Sequence, residues 1–165
     1  MELTKEEAQR IASRLVLPSK AFIGGHFCDS SDGATFETIN PANAQVIASV
    51  AHCTDTDVDQ SVTAARRSFK DGRWSRASPE DRKKVLLRLA ALIRENTAEL
   101  AVMESLDSGK TITDCLHEIG NEVADHFQWY AELIDKTFGK VSPTEPSITS
   151  LIVKEPIGVV AGVVP

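Results

Sequence analysis

Ile157-Gly158-Val159-Val160-Ala161-Gly162-Val163-Val164-Pro165 is the stretch on which the fold turns. β-Branched residues dominate it and two interior glycines interrupt it, the composition of a strand buried on both faces. Such a strand needs neighbours on both edges, and since neither helix nor turn follows, the reading expects them beyond Pro165. Just upstream, the Pro/Ser/Thr segment Val141-Ser142-Pro143-Thr144-Glu145-Pro146-Ser147 leads into the alternating run Ile148-Thr149-Ser150-Leu151-Ile152-Val153-Lys154. That run predicts a half-exposed strand with no obvious partner within the chain, so its open edge is expected to pair with another chain.

Working outward, the middle of the sequence is helical. Thr4-Lys5-Glu6-Glu7 has the form of a capping box and opens a helix with Ile11, Leu15 and Val16 as its apolar stripe. Ala21 to Gly25, Phe36 to Ile39 and Val46 to Val50 are β-prone pieces separated by Asp-Ser-Ser-Asp-Gly and Asn-Pro-Ala-Asn turns. Val58, Val62, Ala65 and Phe69 share one face of a helix that Asp71-Gly72 ends. Ser78-Pro79-Glu80-Asp81 starts the next, with Ser as cap, Pro in the first turn, and Val85, Leu86, Leu89, Leu92 and Ile93 as the buried face. A third helix carries Leu100, Met103 and Leu106 and stops at Gly109. A fourth is predicted from about Thr113 to Phe138 with Val123, Phe127, Tyr130 and Ile134 inward.

The chain has 165 residues, 42% of them hydrophobic, and a net charge of −6 with both signs interspersed along its helices. It offers no basic stripe for a phosphate backbone, which argues against nucleic acid as a partner. The first thirty residues lack a signal-peptide pattern, and no segment approaches the ~20 apolar residues of a membrane span, so a cytoplasmic location is expected. Cys28, Cys53 and Cys115 are odd in number and irregular in spacing, which predicts free thiols. A nucleophilic thiol needs a neighbouring base or cation, and only His52 beside Cys53 hints at one, so small packed residues are the adopted reading. His117 and His126, nine apart on one predicted helix, lack the i, i+4 spacing of a helical metal pair. Glu118, Glu122 and Asp125 read as a polar helix face.

Six segments in order carry a family resemblance. They are Phe22-Ile23-Gly24-Gly25; Thr38-Ile39-Asn40-Pro41-Ala42; Asp57-Val58-Asp59 through Ala64-Ala65-Arg66; Trp74 with Ser78 to Arg82; Glu104-Ser105-Leu106-Asp107-Ser108-Gly109-Lys110; and Glu155-Pro156-Ile157-Gly158-Val159-Val160. Together they make the chain resemble the N-terminal part of the aldehyde dehydrogenase superfamily, ending just before its Trp-Asn-(Phe/Tyr)-Pro motif. Trp129 to Lys136 with Trp74 to Pro79 is similar to enzymes of γ-glutamyl-γ-aminobutyraldehyde and other ω-amino aldehydes. The resemblance implies an α/β fold: an incomplete doubly wound cofactor domain (1–139) with a helical layer, an oligomerisation β extension (140–155), and the first core strand (156–165).

It implies NAD or NADP as cofactor, an aldehyde substrate, and a homo-oligomer, dimer or tetramer, joined through 140–155. Val163, Val164 and Pro165 are the implied cofactor contacts. Thr38, Ile39 and Asp107 match the N-terminal ligands of a structural monovalent cation, to which carbonyls and one carboxylate are chemically suited. The family's reaction passes through a cysteine thiohemiacetal and a thioester to a carboxylic acid. Its cysteine, glutamate, asparagine and phosphate loop have no counterpart at Cys28, Cys53, Cys115 or Gly158 to Gly162, so these 165 residues alone are expected to be inactive. The competing reading is a short, non-enzymatic interaction module that pairs with full-length subunits.

Overall fold

The computed structural model describes residues 2–164, which form six α-helices and six short strands. α1 (Lys5–Ala12) opens with the expected capping box: Thr4 Oγ1 accepts the Glu7 amide at 3.2 Å, and the Thr4 amide donates to Glu7 Oε2 at 2.8 Å. α2 (Asp55–Asp71) ends at Gly72, and α4 (Thr97–Ser108) ends at Gly109, whose φ of +76° is the left-handed conformation that terminates a helix. α3 (Pro79–Glu95) starts with Ser78 Oγ accepting the Asp81 amide at 3.1 Å and Pro79 in the first turn.

α5 (Ile112–His117) runs through a π-helical turn, Glu118–Val123, into α6 (Ala124–Leu133), which finishes in a 3-10 turn. The single helix expected over 113–138 is therefore four phases of one rod. Hydrophobic spacing locates a helix but cannot register the extra residue that a π turn inserts.

The strands form three separate antiparallel ribbons: β1 (Ala21–Ile23) with β2 (His26–Cys28), β3 (Thr35–Ile39) with β4 (Val46–Ala51), and β5 (Lys140–Ser142) with β6 (Ser150–Ile152). The mixed α/β class is as expected, with the helical layer present. No parallel sheet forms among the described residues. Residues 157–164, expected as a buried strand, are extended coil with Ile157 92% and Val163 97% exposed. A strand exists by its ladder, and no described segment lies beside this one. The expectation that 148–154 lacks a partner within the chain is likewise corrected, because Ser150, Leu151 and Ile152 pair with Ser142, Val141 and Lys140.

α3 packs on α6, α1 on α4 and α4 on α5. The buried apolar residues are small: Ala90, Ala101, Val102, Cys115, Leu116, Ala124 and Ala131. The predicted inner face of α3 is corrected to one centred on Ala90, with Val85, Leu89 and Leu92 exposed. On α6 the buried stripe is Ala124 and Ala131, about 100° around the axis from the predicted Val123, Phe127, Tyr130 and Ile134. Alanines let two helix backbones approach closely, and the larger side chains are left beside the contact. Across it Lys83 Nζ reaches Asp135 at 2.9 Å, and Arg94 reaches Asp125 at 2.6 Å and Gln128 at 3.0 Å. Val58 and Val62 of α2, and Val16 beyond α1, are exposed too. Among the described residues no helix is long and apolar enough to cross a membrane.

Candidate functional site

An open groove of about 630 Å³ lies between the β3–β4 ribbon and α4. Phe36, Ile47 and Val50 supply its ribbon wall, Leu100 and Met103 its helical wall, and Thr38 and Asp107 its polar end. Thr38 sits in β3 directly before a bulge: it pairs with Ala48 while Ile39 pairs with Val46, so Ile47 is the extra residue in β4. A bulge breaks the ladder locally and re-aims neighbouring groups. Asp107 stands in the last turn of α4, where unpaired carbonyls make a carboxylate unfavourable unless a donor or cation offsets it. The Thr38 hydroxyl does so, donating to Asp107 Oδ1 at 2.6 Å across 69 residues of sequence.

Two of the three expected cation ligands are thus brought into contact, and Ile39 follows in the same strand. A hydroxyl, a carboxylate and adjacent strand carbonyls suit a hard, weakly charged cation. Among the described residues no three His, Cys, Asp or Glu side chains gather as a metal site. Sequence reading missed the apolar walls of the groove; the alternation of Phe36, Thr38 and of Ala48, Val50 would have placed them on one ribbon face.

Beside the groove, Lys110 Nζ bonds Glu118 Oε2 at 2.7 Å and lies 3.6 Å from Glu104. Its ammonium is held above the usual lysine range, chiefly by the Glu118 hydrogen bond. Cys115 is wholly buried beneath this cluster, and burial, reinforced by Glu104 and Glu118, raises its thiol pKa. That is the opposite of what a nucleophile needs. Cys53 is exposed, but the neighbouring His52 ring meets Phe36 edge-on at 6.0 Å. His117 Nδ1 lies 3.3 Å from Glu122 Oε1, and His126 Nδ1 lies 2.6 Å from the Glu122 carbonyl; both contacts are local to the helix.

Of the expected cofactor contacts, Val163 and Val164 are exposed coil at 97% and 83%, and Pro165 lies outside the described residues. The two valines offer apolar surface and backbone only, and no helix N-terminus faces them. These residues do not make a dinucleotide cradle, so no chemical step is derived through that group.

Residues 27–165 match the aldehyde dehydrogenase family. The chain is 48% identical over 163 residues to an aminoacetaldehyde dehydrogenase of Pseudomonas aeruginosa, covering 99% of this chain and 33% of that protein. It superposes on the P. syringae indole-3-acetaldehyde dehydrogenase AldA, solved in complex with NAD+ and IAA, with a TM-score of 0.92 and 36% identity, over 95% of this chain and 32% of that one. A γ-glutamyl-γ-aminobutyraldehyde dehydrogenase from Burkholderia cenocepacia gives a TM-score of 0.84 and 42% identity, over 87% of this chain and 29% of that one. The chain spans about a third of the length of the relatives it matches. With the ribbons and helical layer arranged as in those structures, the chain belongs to the aldehyde dehydrogenase family.

Proposed function

We propose that the chain contributes the N-terminal part of an NAD(P)-dependent aldehyde dehydrogenase, an oligomeric cytoplasmic enzyme. That enzyme converts an aldehyde, water and NAD+ or NADP+ into a carboxylate and the reduced cofactor. The observation that carries this reading is the ordered family match over residues 27–165 together with the close superposition of the same elements. An ω-amino aldehyde is the proposed substrate class, on the likeness to the aminoacetaldehyde and γ-glutamyl-γ-aminobutyraldehyde enzymes. Residues 1–139 belong to the cofactor domain and 140–155 to the assembly extension. Residues 156–165 form a core strand when neighbours are supplied, with Val163, Val164 and Pro165 against the cofactor. Thr38, Ile39 and Asp107 hold a structural monovalent cation.

The 165 residues alone do not turn over aldehydes in this reading, because Cys115 is shut away and Cys53 lacks a base. Purified chain incubated with ω-amino and simple alkyl aldehydes, with NAD+ and with NADP+, should form no reduced cofactor. Activity lost on replacing Cys28, Cys53 and Cys115 by Ser would refute this.

One observation favours the second reading, a module that pairs with full-length subunits. The accessible surface of 12280 Å² is half again the roughly 8000 Å² of a compact monomer of this mass. Co-purification with a full-length aldehyde dehydrogenase from the same cells, at equal stoichiometry and without loss of that enzyme's activity, would select the module.

A further inference from the structure

A second groove lies at the opposite side of the β1–β2 ribbon from that chemistry. Its turn, Gly24-Gly25, has φ values of +60° and +92°, the paired left-handed conformation of a two-residue hairpin. A Cβ on Gly24 would stand 3.8 Å from Ala64 Cβ, so the turn packs down on α2. Between turn and helix is an open groove of about 390 Å³, within the size range of small-molecule sites. Phe22, Ile23, Ala64 and Ala65 supply apolar wall.

The polar lining is unevenly committed. Arg73 is tied to Asp71, with Nε to Oδ2 at 2.9 Å, and the Arg73 amide takes Oδ1 at 3.1 Å, so both oxygens of that acid are occupied. Ser61 Oγ is spent on the Asp57 carbonyl at 2.9 Å. Arg67 and Ser68 line the same groove and, among the described residues, have no side-chain hydrogen-bond or ion-pair partner. One acid against two guanidiniums leaves the groove with a single positive charge, carried by a fork that matches a carboxylate.

We propose that this groove binds a small organic carboxylate, its oxygens on Arg67 and Ser68 and its apolar body against Phe22 and Ile23. The groove is built from the β1–β2 ribbon and α2 alone, so it operates whichever proposed function holds.

The test is arginine footprinting on the whole chain: phenylglyoxal modification followed by peptide mass spectrometry, with sodium butyrate as probe and sodium chloride at matched ionic strength as reference. Butyrate at twice its dissociation constant should slow modification of Arg67 about threefold. Arg66, the adjacent exposed arginine outside the groove, should react at an unchanged rate. Phe22→Ala should weaken protection by butyrate but not by formate, and Ser68→Ala should weaken both. Equal rates at Arg67 with and without butyrate overturn the proposal, as does equal slowing by butylammonium. Protection by inorganic phosphate without protection by butyrate overturns the assignment to carboxylates.

Discussion

Ser31 and Asp57, 26 residues apart, are clamped together: the Ser31 amide donates to both Asp57 carboxylate oxygens at 3.1 and 3.2 Å, and Ser31 Oγ donates to Oδ2 at 3.1 Å. The Thr54 amide and hydroxyl add bonds at 2.8 and 3.0 Å. This acid, 3% exposed in the first turn of α2, fastens the loop before β3 to the helix after β4.

Its pKa is lowered first by the Thr54 amide and then by the Ser31 amide. A depressed carboxylate stabilises the fold above its unfolded value, near 4, and that contribution is lost as pH falls through the lower folded value. Asp57→Ala should therefore lower the Tm at pH 7 by roughly 5–10 °C. The difference from the parent should shrink below about pH 4. A pH series of thermal melts measures both; a gap that widens in acid contradicts the clamp.

Thiol reactivity should rank by burial and pKa together. Exposed Cys53 reacts first with a disulfide reagent, half-buried Cys28, whose Sγ lies 3.6 Å from the Ala21 carbonyl, reacts second, and Cys115 reacts only on unfolding. Stopped-time alkylation with mass mapping gives the order, and a Cys115 faster than Cys53 would show that the α4–α5 core opens readily.

Replacing Asp107 by Asn keeps a partner for the Thr38 hydroxyl but removes the charge that a cation requires. The parent should gain thermal stability when choline is exchanged for potassium or sodium, and Asp107→Asn should gain none. Thr38→Val, which deletes the hydroxyl alone, should reduce the gain. A cation effect of equal size in parent and Asp107→Asn would place the ion elsewhere.

The β5–β6 ribbon leaves its outer edges unpaired, with Leu151 63% and Ile152 53% exposed. In the complete enzyme, Ile152→Lys should move the size-exclusion profile towards smaller species, because a lysine on an edge discourages strand addition. An unchanged profile over a wide concentration range would remove 140–155 from the assembly surface.

What the sequence disclosed was local chemistry. Thr4 with Glu7, Ser78 with Asp81 and the stop at Gly109 stand where spacing placed them, because caps depend on residues within one turn. The Thr38–Asp107 contact was legible only through family resemblance, since nothing within a few residues of either marks the other. The inward faces of α3 and α6 were misread for a different reason. Hydrophobic periodicity reports which side of a helix is apolar, whereas Ala90, Ala124 and Ala131 show where two backbones meet. The Asp57 clamp was half visible in Thr54-Asp55-Thr56-Asp57, a capping pattern whose distant partner, Ser31, only the folded chain supplies.

The π turn at Glu118–Val123 acts as a phase shifter between the start and end of its rod. Its Gly120 lies so near α4 that a Cβ there would come within 2.9 Å of Thr97 Cγ2, which pins the turn in place. Removing one residue from it would restore ordinary winding and rotate all that follows by about 100°. Ala124 and Ala131 would then swing off α3, and Asp125 and Asp135 would leave Arg94 and Lys83. The meshing of the two longest-packed helices thus hangs on chain length at a single surplus residue, so a one-residue deletion here would be far more disruptive than most substitutions along the same rod.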